Sequence, residues 1–208
     1  YKKNIYFCKK NKYMIIFALK IYIIIYNKSM NKVIVKLLIV MIILSLFSCM
    51  QKNKTITLAD IEMDIPEDFK AGFLDGTVQI DNTVAFHESY GVERHTAIYT
   101  IVYTKYKPMY SGMVSLEKAK NNVINGLRNH YAAKEFRVVS EEISKNLPNS
   151  YEVLSSFYYG PNKTYHKSLI MMHDNGILQI MCMYNANSKK DEKTINNIIQ
   201  SVRIITNN

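Results

Sequence analysis

Residues 165–184 read YHKSLIMMHDNGILQIMCMY, in which two apolar runs flank a short polar break. The break contains Asn175-Gly176, a dipeptide that favours the two-residue turn of a β-hairpin because both residues readily adopt positive φ. The sequence therefore predicts that strands Tyr165–His173 and Ile177–Tyr184 pair around this turn.

This register places Asp174 opposite Ile177 and assigns each side chain of the hairpin to one face of the sheet. Both faces are apolar. One face carries Ile170, Met172, Met181 and Met183, and the other carries Leu169, Met171, Leu178, Ile180 and Cys182. Because a strand with two apolar faces lies inside a covered sheet, we expect the hairpin to be central, with a layer of structure on each side.

Two amphipathic helices are the candidates for these layers. In Leu116–Leu127 the apolar residues recur about every 3.6 positions, and Ser115 is placed to cap the first turn. The same period recurs in Ile195–Val202, for which Ser188 or Asp191 is the predicted cap.

Short runs of β-branched and aromatic residues predict further strands. These are Thr57–Ile65, Thr77–Ile80, Thr83–His87, His95–Tyr106, Phe136–Ile143 and Tyr151–Tyr159. Together, the elements predict an α+β fold in which an antiparallel sheet of about six or seven strands lies between helices as an α/β/α sandwich.

The positive charge of the chain is concentrated before residue 49. Residues 1–48 hold nine lysines and no acidic residue, so the remainder, with 18 basic and 17 acidic residues, is nearly neutral. Nucleic-acid binding needs several cations on one face, and no run of Lys or Arg follows residue 49. We therefore expect no nucleic-acid partner.

A secretory signal peptide is predicted over residues 30–48. Its start, MNKVIVK, is cationic, and the apolar run that follows is shorter than the roughly 20 residues of a membrane-spanning helix. We expect a polar tether at 49–57 and a single globular domain at 58–208. Residues 1–29 are interpreted as upstream DNA translated past a true start at Met30, and the alternative is a transmembrane segment at Met14–Tyr26.

The end of the signal, Leu46-Phe47-Ser48-Cys49, resembles the lipobox of bacterial lipoproteins. The resemblance implies thioether lipidation of Cys49, cleavage before it and acylation of the new amino terminus. Several acyl chains, each contributing about 0.8 kcal/mol per buried CH₂, would hold the protein at a membrane. Because Cys8 lies in the leader, Cys182 alone remains in the domain, and no internal disulfide is predicted.

The order of the elements resembles the PsbP-like family, to which the extrinsic protein of photosystem II and the Ran-binding protein Mog belong. The matching features are the opening Met63–Phe69, the helix after Ser115, the meander of four strands and the closing helix around Ile198–Arg203. The resemblance covers the predicted globular domain. It implies an antiparallel sheet between helices, and no shared activity.

Few residues point to chemistry. Soft ligands that suit Cu(I) occur together in Met171, Met172, His173, Met181, Cys182 and Met183, but the predicted register divides them between two faces, so we interpret the methionines as core residues. His87 and His95 are a weaker candidate for Zn²⁺, since histidines in a polar turn are usually solvated.

The sequence has no phosphate loop, Cys-x-x-Cys or His-Glu-x-x-His motif. We predict no catalytic, cofactor-binding or metal residue, and one lipidation site, Cys49.

The predicted function is that of a membrane-tethered lipoprotein that acts as a non-enzymatic binding or assembly module at the cell envelope. Its expected partners are membrane lipid, through acylated Cys49, and an envelope protein, with the inner and outer membranes both open. The candidate contact residues are Tyr90, Tyr99, Tyr103, Tyr106, Tyr110, Tyr158, Tyr159 and Tyr165. The alternatives are a host-facing or structural surface lipoprotein, and an unrecognised hydrolase or metal-binding protein.

Overall fold

The chain forms two antiparallel sheets and two α-helices within the residues that this computed structural model describes, 52–74, 82–130 and 133–205. The elements are β1 (Asn53–Leu58), β2 (Ile61–Pro66), β3 (Lys70–Ala71), β4 (Val84–Arg94), β5 (Ala97–Tyr106), α1 (Leu116–Arg128), β6 (Ala133–Ile143), β7 (Ser150–Tyr159), β8 (Asn162–His173), β9 (Gly176–Asn185), α2 (Lys189–Ser201) and β10 (Arg203–Ile204). The larger sheet has the order β3-β4-β5-β9-β8-β7-β6, and the smaller one β1-β2-β10. The α+β class is therefore confirmed.

Strands β8 and β9 form the predicted hairpin in the middle of the larger sheet. The predicted turn is wrong by one residue, because His173 pairs with Gly176 and the two turn residues with positive φ are Asp174-Asn175. Gly176 is needed for another reason: a Cβ there would lie 2.5 Å from Tyr103 Oη. The correction moves each residue's partner by an even number of positions, so the predicted faces are unchanged.

The central hairpin of the larger sheet is covered on both faces, as predicted, while the outer strands are covered only in part. Helix α2 and the smaller sheet cover one face, in a core that includes Leu169, Met171, Leu178, Ile180, Cys182, Ile195, Ile198 and Ile199. Helix α1 covers part of the other, in a core of Ala119, Ile124, Val153, Ile170 and Ile177. The helices are thus the two outer layers, and the smaller sheet is a cover that the sequence pattern did not indicate.

Both helices begin at a serine cap. Ser115 Oγ accepts a hydrogen bond from Lys118 N, and Ser188 Oγ accepts one from Asp191 N. Each bond satisfies one of the free N–H groups of the first turn. Of the two residues considered for α2, Ser188 is therefore the cap.

The predicted strands at the amino end of the domain need correction. Residues Thr57–Ile65 are not one strand, because the chain turns at Ala59-Asp60 and Ala59 has a φ of 56°. Strand β1 already begins at Asn53, inside the stretch expected as a tether. Strand β4 continues to Arg94, well past the predicted end at His87.

Several predictions lie outside the described residues. These are the strand at Thr77–Ile80, the signal peptide at 30–48, the leader at 1–29 and the lipidation site Cys49. In the part that is described, neither helix is long and apolar enough to cross a bilayer.

Candidate binding surface

Part of the larger sheet is open beside α2. It is formed by β6, β7 and β8, on the same face of the sheet as that helix. Helix α2 itself packs on β9 and β2. The open part carries three cations and two tyrosines, which we call the lysine–tyrosine surface: Lys134, Arg137, Tyr158, Lys163 and Tyr165.

The strand register aligns these side chains in two rows. Tyr158 pairs with Lys134 on one side and Lys163 on the other, so a tyrosine lies between two lysines at the strand spacing of about 4.8 Å. Its side chain is 38% exposed, and both lysines are exposed. The second row contains Arg137 and Tyr165, separated by Ser156.

Tyr165 connects this surface to the core. Its ring centroid lies 5.9 Å from that of the buried Tyr184, and Lys163 Nζ lies 5.7 Å from the Tyr165 ring centroid. Packing against the core holds the ring, while the cation over its face remains accessible. The arrangement is a rigid aromatic base with positive charge around it, which suits contact with a surface that presents acidic groups.

A small cleft continues from this surface along α2. It has a volume of about 80 Å³ and is lined by Ser144, Asn146, Leu147, Glu152, Lys167, Asn196, Ile199 and Gln200. Ser144 Oγ donates to Glu152 Oε1 at 3.1 Å, and Lys167 Nζ donates to Asn196 Oδ1 at 2.6 Å. The cleft has room for several water molecules, since one water needs about 10–15 Å³ of such a volume.

A buried polar network fixes the start of α2 against β5. The carboxylate of Asp191, which is 2% exposed, accepts hydrogen bonds from Thr96 Oγ1 at 2.5 Å and Tyr99 Oη at 2.7 Å. Burial disfavours its charge, but the hydrogen bonds from Ser188, Thr96 and Tyr99 outweigh burial, and the pKa of Asp191 lies below its ordinary value. This network stabilises the position of α2 on the sheet. From the sequence, Asp191 was identified only as a possible helix cap.

The residues considered for Zn²⁺ are far apart. His87 lies near the start of β4, where its Nδ1 is 3.0 Å from Thr104 Oγ1, and His95 follows the end of the same strand. At about 3.3 Å per residue, the intervening strand separates them by roughly 25 Å. This separation is too long for both histidines to bind one Zn²⁺ ion. Among the described residues, no three His, Cys, Asp or Glu side chains are grouped to hold a metal ion.

The soft ligands of the hairpin are divided between the faces, as predicted. Met171 and Cys182 are buried on the α2 side, where Met171 pairs with Leu178. His173 lies at the end of the sheet, where its Nε2 is 2.7 Å from Asp60 Oδ2. This hydrogen bond lowers the pKa of Asp60.

The predicted tyrosine contacts fall into two groups. Tyr99 and Tyr103 are core residues, and Tyr90 Oη donates to Glu88 Oε1 at 2.8 Å. Tyr158 and Tyr159, at the end of β7, are exposed. Sequence alone could not separate these groups, because it does not show which part of the sheet the helices leave open.

Comparison with known proteins establishes the fold. No family model matches the chain, and no curated protein matches it by sequence. It is similar to the solution structure of cyanobacterial PsbP (CyanoP) from Synechocystis sp. PCC 6803, with a TM-score of 0.54 and 5% identity over 74% of this chain and 94% of that chain. The chain has a PsbP-like fold.

Two other solved structures are similar over comparable lengths. A mutant of the protein Mog1 has a TM-score of 0.46 and 8% identity, and the match covers 75% of this chain and 97% of that chain. LpqN of Mycobacterium tuberculosis, a protein involved in cell envelope biogenesis, has a TM-score of 0.41 and 9% identity over 74% of this chain and 91% of that chain. At these identities, the PsbP-like fold assigns an architecture to the chain and leaves its activity to be argued from its own surface.

Proposed function

We propose that the protein is a non-enzymatic binding or assembly module that an acylated Cys49 anchors to a membrane of the bacterial cell envelope. The anchor is supported by the signal-like residues 30–48 and the lipobox-like Leu46–Cys49. The binding role is supported by the lysine–tyrosine surface, and this surface is the observation that carries the proposal.

The proposed partner is an envelope protein that presents acidic side chains. Lys134, Arg137 and Lys163 are exposed cations on one open patch of sheet, although the domain as a whole is nearly neutral. Tyrosine and arginine are enriched in protein interfaces, and complementary charge steers association and selects the partner. The exposed ring of Tyr158 and the half-buried ring of Tyr165 would form the desolvated centre of the contact.

The anchor and the surface fit together through a short connection. Strand β1 begins at Asn53, so the chain from Cys49 spans at most about 14 Å. A domain on such a connection stays next to the lipid headgroups. Its partner is therefore a membrane protein or another protein held at the same membrane.

Photo-cross-linking in intact cells tests the proposed surface. A photoreactive phenylalanine analogue replaces Tyr158 in one variant and the exposed Asn122 of α1, on the opposite side of the sheet, in another. We expect one recurrent product from position 158 and none of that mass from position 122. Identical products from both positions would contradict the proposal.

Charge reversal provides the second arm of this experiment. Lys163→Glu is expected to lower the yield of the recurrent product about tenfold, because it places an acid beside the acidic partner. Lys118→Glu, an exposed lysine on α1, is the matched control and should leave the yield unchanged. An undiminished yield in Lys163→Glu would contradict the proposal that the partner presents acidic side chains to this surface.

A further inference from the structure

A second group of polar side chains lies on the other face of the larger sheet, the face that α1 covers in part. His166 and Ser168 alternate along β8 on this face. Ser155 of β7 pairs with His166 from one side, and Met183 of β9 pairs with it from the other. Met181 pairs with Ser168, which completes a patch of two methionines, two serines and one histidine.

Three polar atoms of this patch are buried without a hydrogen-bond partner among the residues that the structure describes. They are His166 Nδ1, Ser155 Oγ and Ser168 Oγ. His166 is 6% exposed, and both serines are also buried. Because an unsatisfied buried polar group costs about 1–3 kcal/mol, the unpartnered His166 Nδ1 points to a bound species that supplies its missing contact.

The strand register places both methionines next to His166 on one face of the sheet. Side chains directly opposite on paired strands have Cβ atoms about 5 Å apart, and diagonal neighbours are about 7–8 Å apart, a distance that long side chains bridge. Met183 is directly opposite His166, and Met181 is its diagonal neighbour on the same face. Met181 and Met183 are both partly exposed, so an ion can reach the group from their side.

The chemistry of these ligands is that of a soft metal. Thioether sulfur prefers Cu(I), and neutral imidazole is a common copper ligand. The set of ligands contains no carboxylate or thiolate, which favours a monovalent ion over a divalent one because the buried charge is smaller.

We propose that His166, Met181 and Met183 form a binding site for Cu(I), with Ser155 and Ser168 as polar neighbours. The site goes beyond the proposed docking function and does not depend on it. The proposal departs from the interpretation of the hairpin methionines as core residues: Met181 and Met183 bind together with His166, while His173, Cys182, Met171 and Met172 take no part. Cys182 lies on the opposite face.

Silver ion, a redox-inert substitute for Cu(I), provides the direct test. The full chain is prepared in detergent micelles with Cys8→Ser and Cys49→Ser, which removes two competing thiols. Methionine methyl groups labelled with ¹³C report where Ag(I) binds. We expect the methyl signals of Met181 and Met183 to shift and saturate together, while those of Met171 and Met172 stay in place.

Conservative variants separate this site from general sulfur affinity. Met181→Leu and Met183→Leu preserve volume, and each is expected to weaken Ag(I) binding by at least about tenfold. Met172→Leu, on the same face beyond the site, is the control and should bind as the parent does. Absence of saturable binding, or equal loss in all three variants, would overturn the proposal. So would shifts confined to other methionines.

Discussion

Asp191 is the buried residue whose charge contributes most directly to the fold. Its carboxylate joins the first turn of α2 to Thr96 and Tyr99 on the neighbouring strand. Arg94, which lies 4.9 Å from the Tyr99 ring centroid, forms a two-point ion pair with Asp68. Single side chains of this kind determine how α2 is placed, and hence which part of the sheet stays open.

Replacing Asp191 by asparagine should destabilise the domain in a pH-dependent way. Hydrogen bonds to a charged group contribute about 1.5–3 kcal/mol, so we expect a loss of about 2 kcal/mol at pH 7. The folded-state pKa is lowered, so the stabilisation is full above the ordinary aspartate pKa and is lost as pH falls towards the folded value. Urea unfolding at pH 7 and pH 3 measures this. Glu192→Gln, exposed in the same turn, is the control, and an Asp191→Asn deficit that persists undiminished at pH 3 would contradict the account.

Alanine substitutions at two glycines are expected to change the stability of the domain in opposite directions. A Cβ at Gly176 would lie 2.5 Å from Tyr103 Oη, and Tyr103 is fully buried, so Gly176→Ala should destabilise the domain by about 1–3 kcal/mol. A Cβ at Gly126 in α1 would meet nothing within 4 Å, so Gly126→Ala should stabilise the helix by up to about 1 kcal/mol. Thermal unfolding of both variants checks the pair, and a tolerated Gly176→Ala would refute the close approach.

Among the elements, the central hairpin was predictable because two different registers give the same faces. A turn at Asn175-Gly176 or at Asp174-Asn175 leaves alternate residues on the same side, so the apolar pattern identified the core before the turn was known. The hairpin of β1 and β2 was not predictable in this way. Its turn residue Ala59 has a positive φ, and alanine carries no signal for that conformation.

The turn between β1 and β2 therefore contains strain that a substitution can release. Ala59→Gly should stabilise the domain by about 0.5–1 kcal/mol, because glycine adopts a φ of 56° without the Cβ penalty. Ala186→Gly, at a residue with ordinary negative φ, should destabilise it through the entropy of the unfolded chain. Chemical denaturation compares the two variants. Destabilisation by Ala59→Gly would contradict the turn.

The lysine–tyrosine surface and the proposed Cu(I) site were less predictable than the core. Exposed tyrosines and lysines on β6, β7 and β8 are ordinary surface residues in the sequence, and they become a surface only through cross-strand pairing. The pairing of His166 with Met183 joins residues on separate strands, so no local motif marks it. Both sites depend on long-range register, whereas the lipobox-like Leu46–Cys49 is a continuous motif.

The whole molecule is interpreted as a PsbP-like domain on a short lipid anchor. The connection from Cys49 to β1 is at most about 14 Å when fully extended, so the proposed anchor and the proposed docking surface would act at the same membrane. The proposed function requires both parts: without the anchor, the lysine–tyrosine surface meets its partner only at bulk concentration.

Metabolic labelling with an alkyne-tagged fatty acid tests the anchor most directly. The account predicts that the wild-type chain is labelled, shortened by removal of the signal peptide at residues 30–48 and found in the membrane fraction. Cys49→Ser should be unlabelled and unprocessed, while the control Cys182→Ser, a buried cysteine of the domain, should be labelled as the wild type is. Fatty-acid labelling of Cys49→Ser at the wild-type level would contradict the central claim.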